Sequence, residues 1–452
     1  MLHNGKSMPD PSASKLPLYV DLDGTLIHTD TLWESLVALV RQNPRGIFYV
    51  LRALPRGKAA FKHTLAEQVN LSPLDLPYHE AVIVYLKQEK DRGRSLILAT
   101  AASEATARRI ADHLALFDAV LASTANHNLR GTAKRDAIAA HAQGPYEYMG
   151  DHAIDLPIWT SAARAHVVLP ANADWHRSIP TAQRGERFQA LGGTWKNLLR
   201  ALRLHQWAKN VLIFLPLFLS HVFTDPAKLR AGIIAFFSFS LSASAIYLVN
   251  DIFDIHADRR HPEKRLRPFA RGTYAIPSGL LWSGALLVVS LSLAFLLSPL
   301  VALCIGGYVL ITCLYTLWLK KIPVVDVVLI GFFYTYRILV GAIATETMVS
   351  DWLLVFSAFF FLSLGIEKRY GELLRVANEP SSSLHGRGYH KEDLPVVLGF
   401  GLNTAFLSLL VLAFYIRSAE VTKLYTHPFL LWGVVLLLLV WMMRLWLLAH
   451  RG

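Results

Sequence analysis

From residue 207 to the end of the chain, eight long apolar stretches recur, at roughly 207–223, 229–250, 278–297, 299–319, 323–345, 351–366, 394–417 and 428–449. About 20 residues of helix cross the hydrocarbon of a bilayer, so this half is expected to be an all-α polytopic membrane domain of eight or nine transmembrane helices. The 351–366 stretch is short and is expected to continue through Lys368. Charged residues make up 17% of the chain, against about 25% in ordinary soluble domains, which excludes a wholly soluble protein. The hydrophobic fraction of 53% excludes a disordered one.

Charge then orients the membrane half. Arg259, Arg260, Lys264, Arg265, Arg267 and Arg271 crowd the loop 251–272, Lys320 and Lys321 fill a turn, and the 367–393 loop is again basic. With eight spans these fall on one side, while the Thr345–Asp351 loop opposite has neither Lys nor Arg. The positive-inside rule puts the basic side, and the N-terminal half with it, in the cytoplasm of a bacterial-type inner membrane. The formal net charge of +12 favours anionic partners: membrane lipids, phosphates or diphosphates. No nucleic-acid partner is expected. Cys304 and Cys313 share one apolar run and argue against a disulfide framework. Met1–Lys15 is a polar tail without the apolar core of a secretory signal.

Residues 16–172 read differently. Short apolar strand candidates at Leu18–Leu22, Ser95–Ala99, Ala119–Ala122, Tyr146–Met149 and His166–Leu169 alternate with helical patterns, which argues for an α/β domain with a Rossmann-like parallel sheet. Residues 31–90 are helix-like throughout and suggest a helical cap. Residues 173–194 turn polar and read as a linker. From 195 to 206, Trp195, Leu198, Leu199 and Leu202 recur at helical spacing between Lys196, Arg200 and Arg203, the pattern of an amphipathic helix in the membrane interface.

The α/β half carries Asp21-Leu22-Asp23-Gly24-Thr25 directly after its first strand. Two carboxylates at a strand end can divide labour: one attacks phosphorus, the other protonates the leaving oxygen, and a Mg²⁺ between them offsets phosphate charge. Three further pieces follow in order: Thr100 at the end of a strand, Lys134 opening a helix, and Gly150-Asp151 with Asp155 after another strand. Solvated strand-end acids are the plain alternative for any one of them; four in sequence weigh against it. This order resembles the haloacid-dehalogenase-type phosphatases over residues 16–170. The resemblance implies Asp21 as the nucleophile of an aspartyl-phosphate and Asp23 as acid/base. It implies Thr100 and Lys134 as phosphate ligands and Asp151 as metal ligand, with Asp155 in support; Mg²⁺ would lie among Asp21, Asp23, Asp151 and Asp155.

In the membrane half the second span ends Asn250-Asp251…Asp254…Asp258-Arg259. The acids are spaced i, i+3, i+7 and so share a helix face, where like charges repel unless Mg²⁺ and a diphosphate lie between them. From about residue 199 onward the chain resembles the intramembrane prenyltransferase superfamily typified by 4-hydroxybenzoate prenyltransferase. Where that superfamily has its second acidic cluster, this chain reads Glu367-Lys368-Arg369-Tyr370-Gly371-Glu372, with Glu in place of Asp. His261, Lys264, Arg265, Arg267, Lys209, Tyr315, Lys320, Asp326 and Arg337 stand in motifs that resemble decaprenyl-phosphate phosphoribosyltransferases more closely. That resemblance implies transfer of 5-phosphoribose from phosphoribosyl diphosphate (PRPP) to a polyprenyl phosphate. It implies Mg²⁺ at Asn250, Asp251, Asp254 and Asp258, and substrate contacts from Arg259, Glu367, Lys368, Arg369, Glu372 and the residues just named. His205, His256 and His385 lack metal-ligand spacing.

The expectation is a bifunctional membrane enzyme with Mg²⁺ at both sites, the phosphatase removing the 5-phosphate of the lipid-linked product. The alternative is an aromatic-ring prenyltransferase using a prenyl diphosphate, beside a phosphatase of unrelated use. Self-association is left open.

Overall fold

A computed structural model describes residues 16–170, 173, 175–377, 387–418, 421 and 425–451. The expected polar tail 1–15 and His385 lie outside the described residues. Leu18–Val20 forms strand β1 because its alternate side chains find apolar partners on both faces. Leu18 and Val20 join Leu96, Leu98 and Met149 on one face, and Tyr19 joins Ile97, Tyr148 and Trp159 on the other. After β1 come α1 (Thr31–Gln42), α2 (Gly46–Ala53), α3 (Lys58–Gln68), α4 (Glu80–Asp91), β2 (Leu96–Ser103), α5 (Glu104–Leu114) and β3 (Ala119–Ser123). Then follow α6 (Thr132–Ala142), β4 (Glu147–Gly150), α7 (Leu156–Trp159), β5 (Arg164–Leu169) and β6 (Arg184–Gln189).

All pairings are parallel, in the order β3-β2-β1-β4-β5-β6. The chain's direction of travel reverses between β1 and β4. In open α/β sheets that switch point leaves a crevice outside the carboxyl ends of the strands, where ligands bind. Helices α1–α3 close a small core of their own around Ala38, Leu39, Val50, Leu65 and Val69. Helix α4 instead buries Val82 and Leu86 in the core of the sheet. The cap is therefore α1–α3, shorter than the expected 31–90. The expected linker 173–194 also differs: residues 184–189 leave it as β6, paired with β5.

The membrane half continues with α8 (Trp195–Leu202), α9 (Leu215–Leu219), α10 (Pro226–Phe253), α11 (Ile255–Arg260), α12 (Pro268–Arg271), α13 (Ile276–Leu297) and α14 (Pro299–Leu317). The last are α15 (Val325–Thr345), α16 (Asp351–Ala377), α17 (Leu394–Ile416) and α18 (Leu431–Arg451). Among the described residues six helices are long and apolar enough to cross a membrane: α10, α13, α14, α15, and those ending at Ile416 and Arg451. The chain is an integral membrane protein, with six such helices among the described residues where eight or nine were expected.

Two expected spans account for the difference. Residues 204–214 wind as a 3₁₀ segment and only Leu215–Leu219 is α-helical, so 207–223 is not one continuous helix. That segment is held by polar anchors on α10: Trp207 donates to Ser244 at 2.9 Å and Asn210 to Ser240 at 2.9 Å. Its backbone also presses on Gly341 of α15, where a Cβ would lie 2.7 Å from the Ile213 carbonyl carbon. The stretch 351–366 is part of the longer α16, but Asp351 and Glu367 bracket its apolar run.

By contacts the chain falls into two compact units, residues 1–201 with 249–281, and residues 202–248 with 282–452. The acidic end of α10 and the basic loop after it therefore belong to the same unit as the α/β sheet.

Candidate active sites

The first site lies at the β1/β4 crevice. β1 delivers Asp21, whose N–H bonds the Met149 carbonyl at 2.9 Å, and β4 delivers Asp151. One oxygen each of Asp21, Asp151 and Asp155 lie within 4.8 Å of one another. Lys134, in the first turn of α6, sends Nζ to Asp21 Oδ2 at 2.8 Å, to Asp155 Oδ1 at 3.7 Å and to the Tyr148 hydroxyl at 3.1 Å. Gly24, at φ +76°, explains the glycine of the motif: a Cβ there would stand 2.6 Å from Asp151 Cγ. Thr25 donates to Asp151 Oδ1 at 3.4 Å.

One buried lysine does not balance this many carboxylates. Burial first, and the charge of Asp21 second, push the Asp155 carboxyl up to about 7. The same two causes raise Asp151 well above the usual carboxylate range. A hard divalent cation is the counter-charge that such an all-oxygen set fits. Asp23 stands apart from the three. Its Oδ1 accepts the Thr31 N–H at 2.8 Å and its Oδ2 the Thr31 hydroxyl at 3.2 Å, at the N-terminus of α1. Burial, with Asp30 and then Asp21 adding negative charge, pushes its carboxyl up to about 8 against those hydrogen bonds. A carboxyl that keeps its proton at neutral pH suits an acid better than a metal ligand.

Thr100 departs from expectation. Strand β2 runs on to Ser103, so Thr100 is not at its end; it is fully buried, and its hydroxyl accepts the Ala102 N–H at 3.0 Å. It does not line the cavity of about 590 Å³ that opens over Asp21, Asp23, Lys134, Asp151 and Asp155. The cap contributes Leu32, Leu54, Phe61 and Lys62 to that cavity, and Arg130, His152 and Ala275 are among the other residues of its wall. Lys62 was not legible in the sequence. Its Nζ reaches the Ala101 carbonyl at 2.7 Å, and burial lowers its affinity for a proton although Asp23 and Asp30 oppose the shift.

The second site is the acidic end of α10. The helix stops at Phe253 and resumes as α11, so the three acids do not ride one unbroken helix. Asp251 and Asp258 still converge, both on Arg267 Nη1, at 3.2 and 2.7 Å. Burial raises the Asp258 carboxyl although Arg267 opposes it. Asp254 turns instead to Arg41 of α1, at 2.7 Å. The three acids thus do not form one ligand cluster here; guanidinium groups occupy them. Arg259 donates to Glu34 at 2.6 and 3.1 Å, to the Asp75 carbonyl at 2.9 Å and to the Ala270 carbonyl at 2.8 Å. Asn250 is half-buried; His261, Lys264 and Arg265 are exposed.

The third group lies wholly in the other unit. Arg337, nearly buried, donates to Asn210 Oδ1 at 2.7 Å, and its guanidinium sits 5.0 Å from the ring of Phe239 and 5.5 Å from that of Tyr334. Lys209 lies 5.9 Å from the same Tyr334 ring. Fully buried Asp326 is paired with Arg369 at 2.7 Å and Arg387 at 3.4 Å, and accepts the Tyr389 hydroxyl at 2.7 Å. Arg387 also reaches the Tyr315 hydroxyl at 3.3 Å. Arg369, expected to hold substrate, is fully buried and spent on Asp326 and Glu372. Glu367 and Lys320 are half-buried and Lys368 is exposed. Arg387 and Tyr389 were missed in the sequence because their loop reads only as basic.

Residues 211–452 match the UbiA prenyltransferase family, and the chain belongs to that family. It is 35% identical over 445 residues to the uncharacterised protein y4nM of Sinorhizobium fredii, a match that covers 97% of this chain and 85% of that protein. It is 38% identical over 182 residues to decaprenyl-phosphate phosphoribosyltransferase of Mycobacterium tuberculosis, covering 39% of this chain and 60% of that one. A UbiA homologue from Archaeoglobus fulgidus, solved with GPP and Mg²⁺, aligns at a TM-score of 0.46 and 17% identity over 55% of this chain and 86% of that one.

Proposed function

We propose that the chain is a bifunctional membrane enzyme of lipid-linked sugar synthesis. Its family domain joins PRPP to a polyprenyl phosphate, and its α/β domain then removes the 5-phosphate. The observation that carries the donor assignment is the 38% identity to a decaprenyl-phosphate phosphoribosyltransferase, which spans 182 residues. The density of arginine and lysine around the acidic end of α10 supports it too, since donor and acceptor both bear phosphates.

In the transfer, a phosphate oxygen of the polyprenyl phosphate bonds to the anomeric carbon of the ribose as the bond to diphosphate breaks. Cations of the basic loop, Lys264, Arg265 and Arg267, meet the charge that gathers on the departing diphosphate. Once Arg41 and Arg267 yield them, Asn250, Asp251, Asp254 and Asp258 would hold Mg²⁺ there, which would supply further counter-charge to the diphosphate. In the hydrolysis, an Asp21 oxygen attacks phosphorus and Asp23 gives its proton to the leaving ribose oxygen. Asp23 then takes a proton from the water that releases phosphate from Asp21. Lys134 holds Asp21 in place through its 2.8 Å contact. Asp21, Asp151 and Asp155 would hold a second Mg²⁺, which offsets phosphate charge. Both chemistries would face the cytoplasm, with membrane lipid around α10 and α13–α18.

A second reading keeps the membrane domain as a transferase of a prenyl diphosphate to an aromatic ring. The family description favours it, because the UbiA prenyltransferase match spans residues 211–452, more of the chain than the phosphoribosyltransferase match does. Purified protein with Mg²⁺, polyprenyl phosphate and labelled PRPP should release diphosphate and label the lipid. Consumption of geranyl diphosphate with an aromatic acceptor, and none of PRPP, would hand the assignment to the second reading.

A further inference from the structure

Helix α1 touches two chemistries within one compact unit. At its N-terminus the Thr31 N–H holds Asp23 Oδ1 at 2.8 Å. One turn in, Glu34 receives Arg259 at 2.6 and 3.1 Å. In its last turn Arg41 meets Asp254 at 2.7 Å. Thr31 and Arg41 are ten residues apart, about 15 Å of helix. The cap helix thus bears on the candidate acid of the phosphatase at one end and on a candidate metal carboxylate of the transferase at the other.

The two ion pairs differ in strength. The Glu34 and Arg259 side chains are 0% and 8% exposed, and breaking a buried pair of that kind is strongly destabilising. Arg41 and Asp254 are 32% and 26% exposed, and such a pair contributes little and yields easily to a competing cation. A divalent ion and a guanidinium compete for the same carboxylate charge. Glu34 is therefore the fixed point of α1 and Arg41 its exchangeable end.

We propose that α1 is a ligand-sensing lever. Magnesium diphosphate arriving at Asp251, Asp254 and Asp258 displaces Arg41, the helix stays anchored at Glu34, and its released last turn changes how Thr31 holds Asp23. Donor occupancy at the transferase motif is thereby reported to the phosphatase cavity. This rests on the acidic segment being a magnesium-diphosphate site, which both donor readings share.

The test is hydrogen exchange by mass spectrometry on the full chain in detergent, with Mg²⁺ and inorganic diphosphate as the probe. Amides in residues 38–43 should exchange at least about threefold faster with the probe, and the Thr31 amide, which holds Asp23, should change its exchange too, while the turn around Glu34 stays protected. Arg41→Ala should show the fast pattern without probe and bind magnesium diphosphate about two- to fivefold tighter, and Arg41→Lys should restore the wild-type response. No change in exchange at residues 38–43, a change there with none at Thr31, or an Arg41→Ala variant with unchanged or weaker binding, overturns the proposal. A response that persists when Asp251 and Asp258 are both replaced by Asn shows that the diphosphate acts elsewhere and also overturns it. A full response in a protein that never consumes PRPP leaves the lever standing and removes only the donor assignment.

Discussion

Replacing Gly24 by alanine should break the proposed phosphatase site while leaving the fold nearly intact. Gly24 sits at φ +76°, a region that costs an L-residue with a side chain about 1–2 kcal/mol. The new methyl carbon would lie 2.6 Å from Asp151 Cγ and 3.2 Å from its Oδ1. Carbon atoms pack at about 3.5–4.0 Å, so the carboxylate must retreat by roughly 1 Å. A short side chain can turn, so the backbone need not move. The turned carboxylate, however, leaves the group in which oxygens of Asp21, Asp151 and Asp155 lie within 4.8 Å. A displacement of about 1 Å in a reacting constellation costs on the order of 10² in rate. Hydrolysis of p-nitrophenyl phosphate by the full chain in detergent should fall by about that factor. Thermal unfolding should shift by only a few degrees, and transferase activity should hold. A variant that keeps phosphatase turnover within about threefold of wild type would refute the reasoning, because the loss expected is on the order of 10².

Two further outcomes follow from buried charge. Burial raises the Glu147 carboxyl, but hydrogen bonds from His166 and Arg94 outweigh it and hold it at about 2. A folded value below the unfolded one stabilises the domain above pH 4.5 and loses that contribution as pH falls from 4.5 to about 2. Thermal denaturation of Glu147→Gln should therefore lie below wild type at neutral pH, by up to about 3 kcal/mol, and converge with it over that acid window; a constant gap down to low pH would contradict it. Asp326→Ala should destabilise the membrane domain by about 3–5 kcal/mol, because Arg369 is left charged and fully buried. Asp326→Leu combined with Arg369→Met should recover much of that loss in the same melting assay, and a double variant no better than the single would argue against an ion-pair role.

How far the sequence could be read depended on the range of the interactions involved. Five strands were legible because apolar runs such as Leu96–Ala99 must be buried on both faces. The sixth, Arg184–Gln189, was not: it is an edge strand, mostly exposed, and its charged composition is what protects such an edge. Asp21, Lys134, Asp151 and Asp155 were legible because each follows a strand or opens a helix at the same end of the sheet. Thr100 shared that pattern, yet its strand runs three residues further and buries it. The acidic spacing at 251, 254 and 258 assumed one continuous helix; the break after Phe253 sends Asp254 to Arg41 instead. Nothing local announces a partner 213 positions away in sequence, and the same holds for Glu34 with Arg259. The linker read at 173–194 holds more structure than its polar composition suggested, for a related reason. The segment carries β6, and residues 249–281 share a compact unit with the sheet.

The central claim is that one chain makes a lipid-linked phosphoribose and then removes its phosphate. Mass spectrometry of the lipid made from PRPP and polyprenyl phosphate, by wild type and by Asp21→Asn in parallel, tests it most directly. Asn at that position keeps the shape of the site and removes most of the nucleophilicity. Wild type should yield polyprenyl-phosphate ribose, and the variant the same lipid heavier by one phosphate. The same phosphorylated lipid from both proteins, or no ribosylated lipid from either, would contradict the account.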